Sequence, residues 1–261
     1  KDVVVGDVIL FAQQKHIDMS LEARGVVEKV PANPAFRTMK IKTIRSATPR
    51  ADLDAQATTG WSVMNADTAR QMTAAAFYLG RDLSRELDVP VGVIDLDMGH
   101  RFTIAWLELD ALLGSDEFYG RDTRVSGYAE WMLDAAERYE AQQRGKTREE
   151  LGRKWVETEP ITDPLYPAAC YNAVLHPMRG LALKAVVLQL GNDYPYVGYE
   201  RLRETGQTFD RDALDTAWWE NYLNRKQGYR AAIDVLPRVP AQWRGYFGDD
   251  DLPIGLITLP S

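Results

Sequence analysis

Gly6-Asp7-Val8-Ile9-Leu10-Phe11-Ala12-Gln13-Gln14-Lys15-His16-Ile17-Asp18-Met19-Ser20-Leu21 is the stretch on which the fold turns. It completes an apolar, β-branched run that begins at Val3 and then becomes polar within a few residues. A short apolar run of this kind, closed by polar turn formers, is the pattern of a strand buried on both faces of a parallel sheet. In open α/β sheets the loops at the carboxyl ends of the strands carry the chemistry. Residues 3–11 are therefore expected to form the first strand, with Lys15 and His16 on the turn behind it.

Three more runs have the same character: residues 91–96, 185–190 and 254–259. Helical patterns lie between them. Asp67 is expected to cap one helix carrying Ala69, Met72, Ala76, Leu79, Leu83 and Leu87, ended by Asp88-Val89-Pro90 before the second strand, which makes one βαβ step. Residues 38–44 alternate, as an extra edge strand or hairpin would. Residues 115–160 and 195–230 are expected to be helical insertions. In the first, Tyr128, Trp131, Met132, Ala135 and Tyr139 share a helical face and Gly145 breaks the helix; in the second, Trp218, Trp219 and Tyr222 lie close together.

Composition narrows the function classes. The 261 residues are 45% hydrophobic and 26% charged, enough to bury a full core as one large domain or as a domain plus a lobe. A formal net charge of -7 without a basic stripe argues against nucleic acid and anionic membrane as partners. Cys170 is the single cysteine, which excludes an internal disulfide and a cysteine metal cluster and reads as a small buried residue. No apolar run approaches the roughly 20 residues of a membrane span, and the first residues read as a strand, not a signal peptide. No phosphate-cradling glycine loop, zinc-helix motif or nucleotide fingerprint occurs, so no cofactor and no metal are expected. Lys1 falls within a strand-like pattern and Ser261 comes directly after another, so the chain is expected to continue at both ends.

The four strand-like segments, together with the turns and helices behind them, resemble the sialate O-acetylesterase family of SGNH hydrolases. Residues 6–17 lie without a gap over the family's Gly-Asp-Val-Trp-Leu-Cys-Ser-Gly-Gln-Ser-Asn-Met signature and keep Gly6, Asp7, Val8, Leu10 and Gln14. Gly60-Trp61, the helix from Thr73 to Leu83, Val89-Pro90-Val91-Gly92-Val93-Ile94, Gly99, Ala105-Trp106, residues 171–178, Gln242-Trp243-Arg244 and Asp251-Leu252-Pro253-Ile254 come next in the family's order. The resemblance implies a three-layer α/β/α fold of flavodoxin-like type, with a central parallel sheet and a site at the strands' carboxyl ends.

It also implies what the site should contain: a serine nucleophile, a histidine to take its proton, an acid to orient that histidine, and oxyanion donors on three turns. Lys15 occupies the serine position and His16 the neighbouring asparagine position. A lysine amine that attacked an acetyl ester would keep the acetyl group as a stable amide. Gly99 holds the second-turn position. At the third turn the family's Gln-Gly-Glu-Ser-Asn becomes Leu190-Gly191-Asn192-Asp193-Tyr194, so Tyr194 replaces the asparagine donor. A two-residue slip would let Asn192 serve instead; otherwise Asn192 and Asp193 are ordinary turn formers. The family's Asp-x-His segment comes after a further strand beyond residues 254–259, so a single domain over residues 1–261 is expected to lack it.

Other groups have second readings. His16 and His100, with Asp97 or Asp193, would make a metal or acid/base cluster if the turns bring them together; otherwise they are turn or surface residues. His176 precedes a proline on an apolar segment. Ser20 is five residues late for the nucleophile. Asp95 and Asp97 share one strand face and could stand at the rim, while Asp18 lies just past the first turn. Trp218 and Trp219 could stack on sugar rings or pack on the domain.

Two functions are consistent with these residues. In the first, the chain is a catalytically impaired member of the esterase fold that serves a larger protein or assembly as a structural or binding module, with carbohydrate or protein as its partner. In the second, it is an active carbohydrate O-acetylesterase whose catalytic groups are relocated or supplied from elsewhere. Family members are commonly exported, and an extracytoplasmic location rests on the resemblance alone.

Overall fold

The computed structural model describes residues 3–14, 20–24, 30–99, 103–114, 118–119, 123–145, 147–151, 156, 158–163, 165–189 and 238–257. The chain divides into two compact units. Residues 1–100, 172–191 and 240–261 form the first, and residues 101–171 and 192–239 the second.

The first unit is built on a six-stranded sheet. In chain order its strands are β1 (Asp7–Gln14), β2 (Asn33–Ile41), β3 (Ser62–Met64) and β4 (Val91–Gly99). A two-stranded ribbon of β5 (Phe118–Tyr119) and β6 (Thr123–Arg124) belongs to the second unit, and β7 (Ala185–Gln189) and β8 (Ile254–Ile257) complete the sheet. Across the sheet the order is β3-β2-β4-β1-β7-β8, parallel throughout except for the antiparallel edge strand β3. Strands β4-β1-β7-β8, numbered by their own sequence, read 2-1-3-4, the opening of the flavodoxin order. β2 and β3 extend that core beyond β4.

Strand β1 lies in the middle because its sequence suits no other place: Ile9, Leu10, Phe11 and Ala12 are all buried. The expected strand over residues 3–11 is shifted toward the turn. Val3 and Val5 are exposed, and pairing starts where Asp7 N–H donates to Pro90 O at 2.9 Å, opposite the first residue of β4. Proline has no N–H to extend the ladder further back. Of residues 38–44, expected as an edge strand or hairpin, 38–41 belong to the longer β2, which pairs in parallel with β4 from Phe36↔Val91 to Ile41↔Leu96, and 42–44 lie beyond its end; β3 takes the edge.

Helix α1 (Ala66–Gln71) and helix α2 (Ala74–Glu86) replace the single helix expected to start at Asp67. Asn65 is the cap: its side chain accepts from Asp67 N and Thr68 N at 2.9 and 3.0 Å, and Thr68 Oγ1 accepts from Asn65 N at 2.9 Å. The pattern breaks at Met72-Thr73 because the Thr73 N–H is taken by Asp95 of β4, 2.8 Å away. Ala69, Met72, Ala76 and Phe77 then join Ile9, Phe11, Phe36, Val91 and Val93 in one apolar core. Leu87, expected on the buried face, is the exposed C-cap of α2.

Helices α3 (Leu109–Leu113), α4 (Val125–Gln143) and α5 (Arg148–Leu151) occupy the first expected insertion and the stretch before it. Gly145 separates α4 from α5 with φ +97°. On α4 the buried stripe is Ala129, Met132 and Ala135, whereas Trp131, one residue and about 100° around the helix, is exposed. Helix α6 (Val239–Phe247) carries the buried Trp243, and Arg244 Nε donates to Leu252 O at 3.0 Å just before β8. No helix among the described residues is long and apolar enough to cross a membrane. The second expected insertion, residues 195–230, lies outside the described residues.

Candidate functional site

Parallel pairing aligns the carboxyl ends of three strands. Gln13 is opposite Asp97 of β4 and opposite Gln189 of β7, while a register shift at Gln13/Gln14 sets Gln14 opposite Gly99. The chain passes from β1 to one side of the sheet for β4 and to the other for β7, so these ends flank the topological switch, where α/β sheets bind ligands. The resemblance predicts its three turns at the same place.

Gly99 is the predicted site residue that the described structure contains. Its φ is +59°, a left-handed conformation in which a side chain is strained, and a Cβ there would stand 3.1 Å from Thr43 Oγ1. Its backbone N–H, the expected second-turn oxyanion donor, donates to Asp97 Oδ1 at 2.7 Å. Thr43 Oγ1 in turn donates to the Asp97 carbonyl. The carboxylate of Asp97 thus folds back on the turn behind β4. Lys15, His16, Asp18, His100, Asn192, Asp193, Tyr194, Trp218 and Trp219 lie outside the described residues, as does any cluster built from them.

Directly before the first turn stands a buried polar network that sequence reasoning does not anticipate. Gln13, Asp95 and Thr73 are all fully buried. Gln13 Nε2 donates to Asp95 Oδ1 at 3.1 Å and to Thr73 Oγ1; Thr73 Oγ1 donates to the same Asp95 oxygen at 3.1 Å, and Thr73 N to Asp95 Oδ2 at 2.8 Å. Asp95, expected at the rim beside Asp97, lies inside. It shares the face of Val91 and Val93, over which α2 packs, and its charge meets the N-terminal end of that helix. The signal available in the sequence is the pair Gln13-Gln14 ending an apolar strand, with Asp95 interrupting another.

A second link joins the neighbouring strand ends. Gln14 N donates to Gln189 Oε1 at 3.2 Å, and both glutamines are fully buried. Gln13 Oε1 and Gln189 Nε2 are buried without a hydrogen-bond partner among the described residues. Each orphaned group costs about 1–3 kcal/mol.

Other candidate groups have local duties. Ser20 Oγ accepts from Ala23 N at 3.2 Å, a turn-forming role. His176 Nδ1, in the tautomer that carries its proton there, donates to Arg50 O at 2.9 Å, and Asn172 Nδ2 donates to Ser46 O and Ala47 O at 3.2 and 3.1 Å. The family-like segment 171–178 thereby holds the loop around Arg50. Cys170 is buried. Among the described residues no group of histidine, cysteine and acidic side chains is placed to hold a metal ion.

No family model matches the chain. The chain is 24% identical to sialate O-acetylesterase of Rattus norvegicus over 244 residues, covering 87% of this chain and 41% of that protein. A solved carbohydrate acetylesterase from Xanthomonas citri has the same fold, with a TM-score of 0.52 at 18% identity over 96% of this chain and 41% of the other. The chain thus spans about two fifths of the length of the relatives it matches. Sequence and fold agree, and the likeness is to the sialate O-acetylesterases, with an α/β fold of the SGNH type.

Proposed function

We propose that this chain is a sialate O-acetylesterase-like domain that does not hydrolyse acetyl esters and acts as a binding or structural module, with an acetylated carbohydrate or a protein as its partner. One observation carries the proposal: the Gly99 N–H, which an esterase of this kind would aim at an oxyanion, is committed to the Asp97 carboxylate at 2.7 Å. A carboxylate at that point also opposes negative charge developing nearby, and one lost donor typically costs about 100-fold or more in rate. The substitutions at the other two turns point the same way, since Lys15 offers no hydroxyl nucleophile and Tyr194 no amide donor.

The test is hydrolysis of an aryl acetate and of O-acetylated sialic acid by the pure chain. Rates at the level of buffer are expected. Turnover that vanishes in Gly99→Val or Lys15→Met would overturn the proposal in favour of an active esterase with relocated groups, and covalent labelling by a serine-directed organophosphorus probe would identify its nucleophile.

A further inference from the structure

The five residues 15–19 are bounded by two stems, and both stems end on Thr73. On the incoming side, Gln13 Nε2 donates to Thr73 Oγ1 and, at 3.1 Å, to Asp95 Oδ1. On the outgoing side, Ser20 forms an antiparallel bridge with Thr73, and Leu21 N donates to Met72 O at 3.1 Å while its side chain is buried in the core. Thr73 is itself fixed by Asp95, which accepts from its N–H at 2.8 Å and from its hydroxyl at 3.1 Å.

A buried carboxylate is costly unless its lone pairs are used. Here three donors reach Asp95. If its duty were only to cap α2, the bond from Thr73 N would suffice; the second oxygen reaches across to β1 and engages the residue next to the first turn. Asp95 also lies two residues before Asp97, so the strand that holds Thr73 in place is the one that positions the second turn.

We infer that Asp95 and Thr73 form a clamp on both stems of the segment 15–19, making the N-terminal end of α2 a positioning element of the candidate site. The inference rests on the reading that the site lies at the carboxyl end of β1, and is independent of whether that site hydrolyses esters.

Amide hydrogen exchange on the whole chain tests it. Thr73→Val keeps the shape and the Thr73 N–H bond but removes the hydroxyl that joins Gln13 to Asp95. Asp95→Asn turns one acceptor into a donor facing another donor. In both variants Gln14 and residues 20–24 should exchange about tenfold faster or more, while residues 185–188 and 254–257 keep their wild-type rates. Val93→Ala, a buried change on the same strand, is the comparison, and its effect should spread over the sheet. Unchanged exchange at the stems, or acceleration distributed as in Val93→Ala, would overturn the clamp. Should Asp95→Asn fail to fold, Thr73→Val and Gln13→Met decide by the same readout. Ester turnover would overturn the proposed function and leave the clamp standing; wild-type exchange at the stems would do the reverse.

Discussion

The backbone N–H of Gly99 donates to the carboxylate of Asp97, two residues earlier in the same strand, across 2.7 Å. A donor so engaged must be released before it can serve an oxyanion. Lys15→Ser alone is therefore expected to leave aryl acetate hydrolysis at the level of the parent chain, and adding Asp97→Ala is expected to raise kcat/KM above that of the single variant. A rise of about 100-fold or more from Lys15→Ser alone would mean that the second and third turns are already competent.

Gly80 faces Phe36 across the α2–β2 contact. A Cβ at position 80 would stand 2.4 Å from Phe36 Cζ and 2.8 Å from Val93 Cγ2. Overpacking of a closed core costs about 1–3 kcal/mol, so Gly80→Ala should lower the urea midpoint with the slope unchanged. Phe36→Leu in the same chain should recover part of the loss; a variant as stable as the parent would mean that the ring moves freely.

Ala168 is fully buried with φ 57°, the one non-glycine residue with positive φ among those described, and its N–H donates to Ile104 O at 3.1 Å. The left-handed region costs an L-residue about 1–2 kcal/mol, and glycine escapes it at a smaller entropic penalty. Ala168→Gly is expected to raise the melting temperature by a few degrees. A lower one would show that the Ala168 methyl contributes more by packing than its backbone strain costs.

Asp54 is held below the ordinary aspartate pKa, chiefly by the Gln56 N–H and then by the Arg50 side chain. Because the folded value is the depressed one, its contribution to stability is present above the unfolded pKa and disappears as pH falls through the folded pKa. Carboxyl carbon NMR should give a midpoint below that of an unstructured aspartate. Gln56→Pro, which deletes the N–H, should raise it more than Arg50→Ala; the opposite order would make the guanidinium the dominant cause.

The sheet is legible in the sequence because a parallel strand buried on two faces is written as a mostly apolar run, even where one polar residue such as Asp95 interrupts it. Ile9 to Ala12, Val91 to Leu96 and Val186 to Leu188 all find their place by that rule. The boundaries are less so, since they depend on partners far along the chain. Asp7 starts β1 because Pro90 ends the neighbouring ladder, and α1 stops because Asp95 claims the Thr73 N–H. Of the site, Gly99 can be found by its place in a family pattern. The engagement of its N–H cannot, because the same Asp97 would serve equally well at a rim. Gln13, Thr73, Asp95 and Gln189 escape notice as a network because a polar residue read alone gives no sign that its partner lies on the next strand or helix.

The bond from Gln14 N to the Gln189 side chain has a mechanical consequence. The two strand ends are tied side to side, so a displacement of one is transmitted to the other. A substitution at Gln189 would then be felt at the ends of both strands.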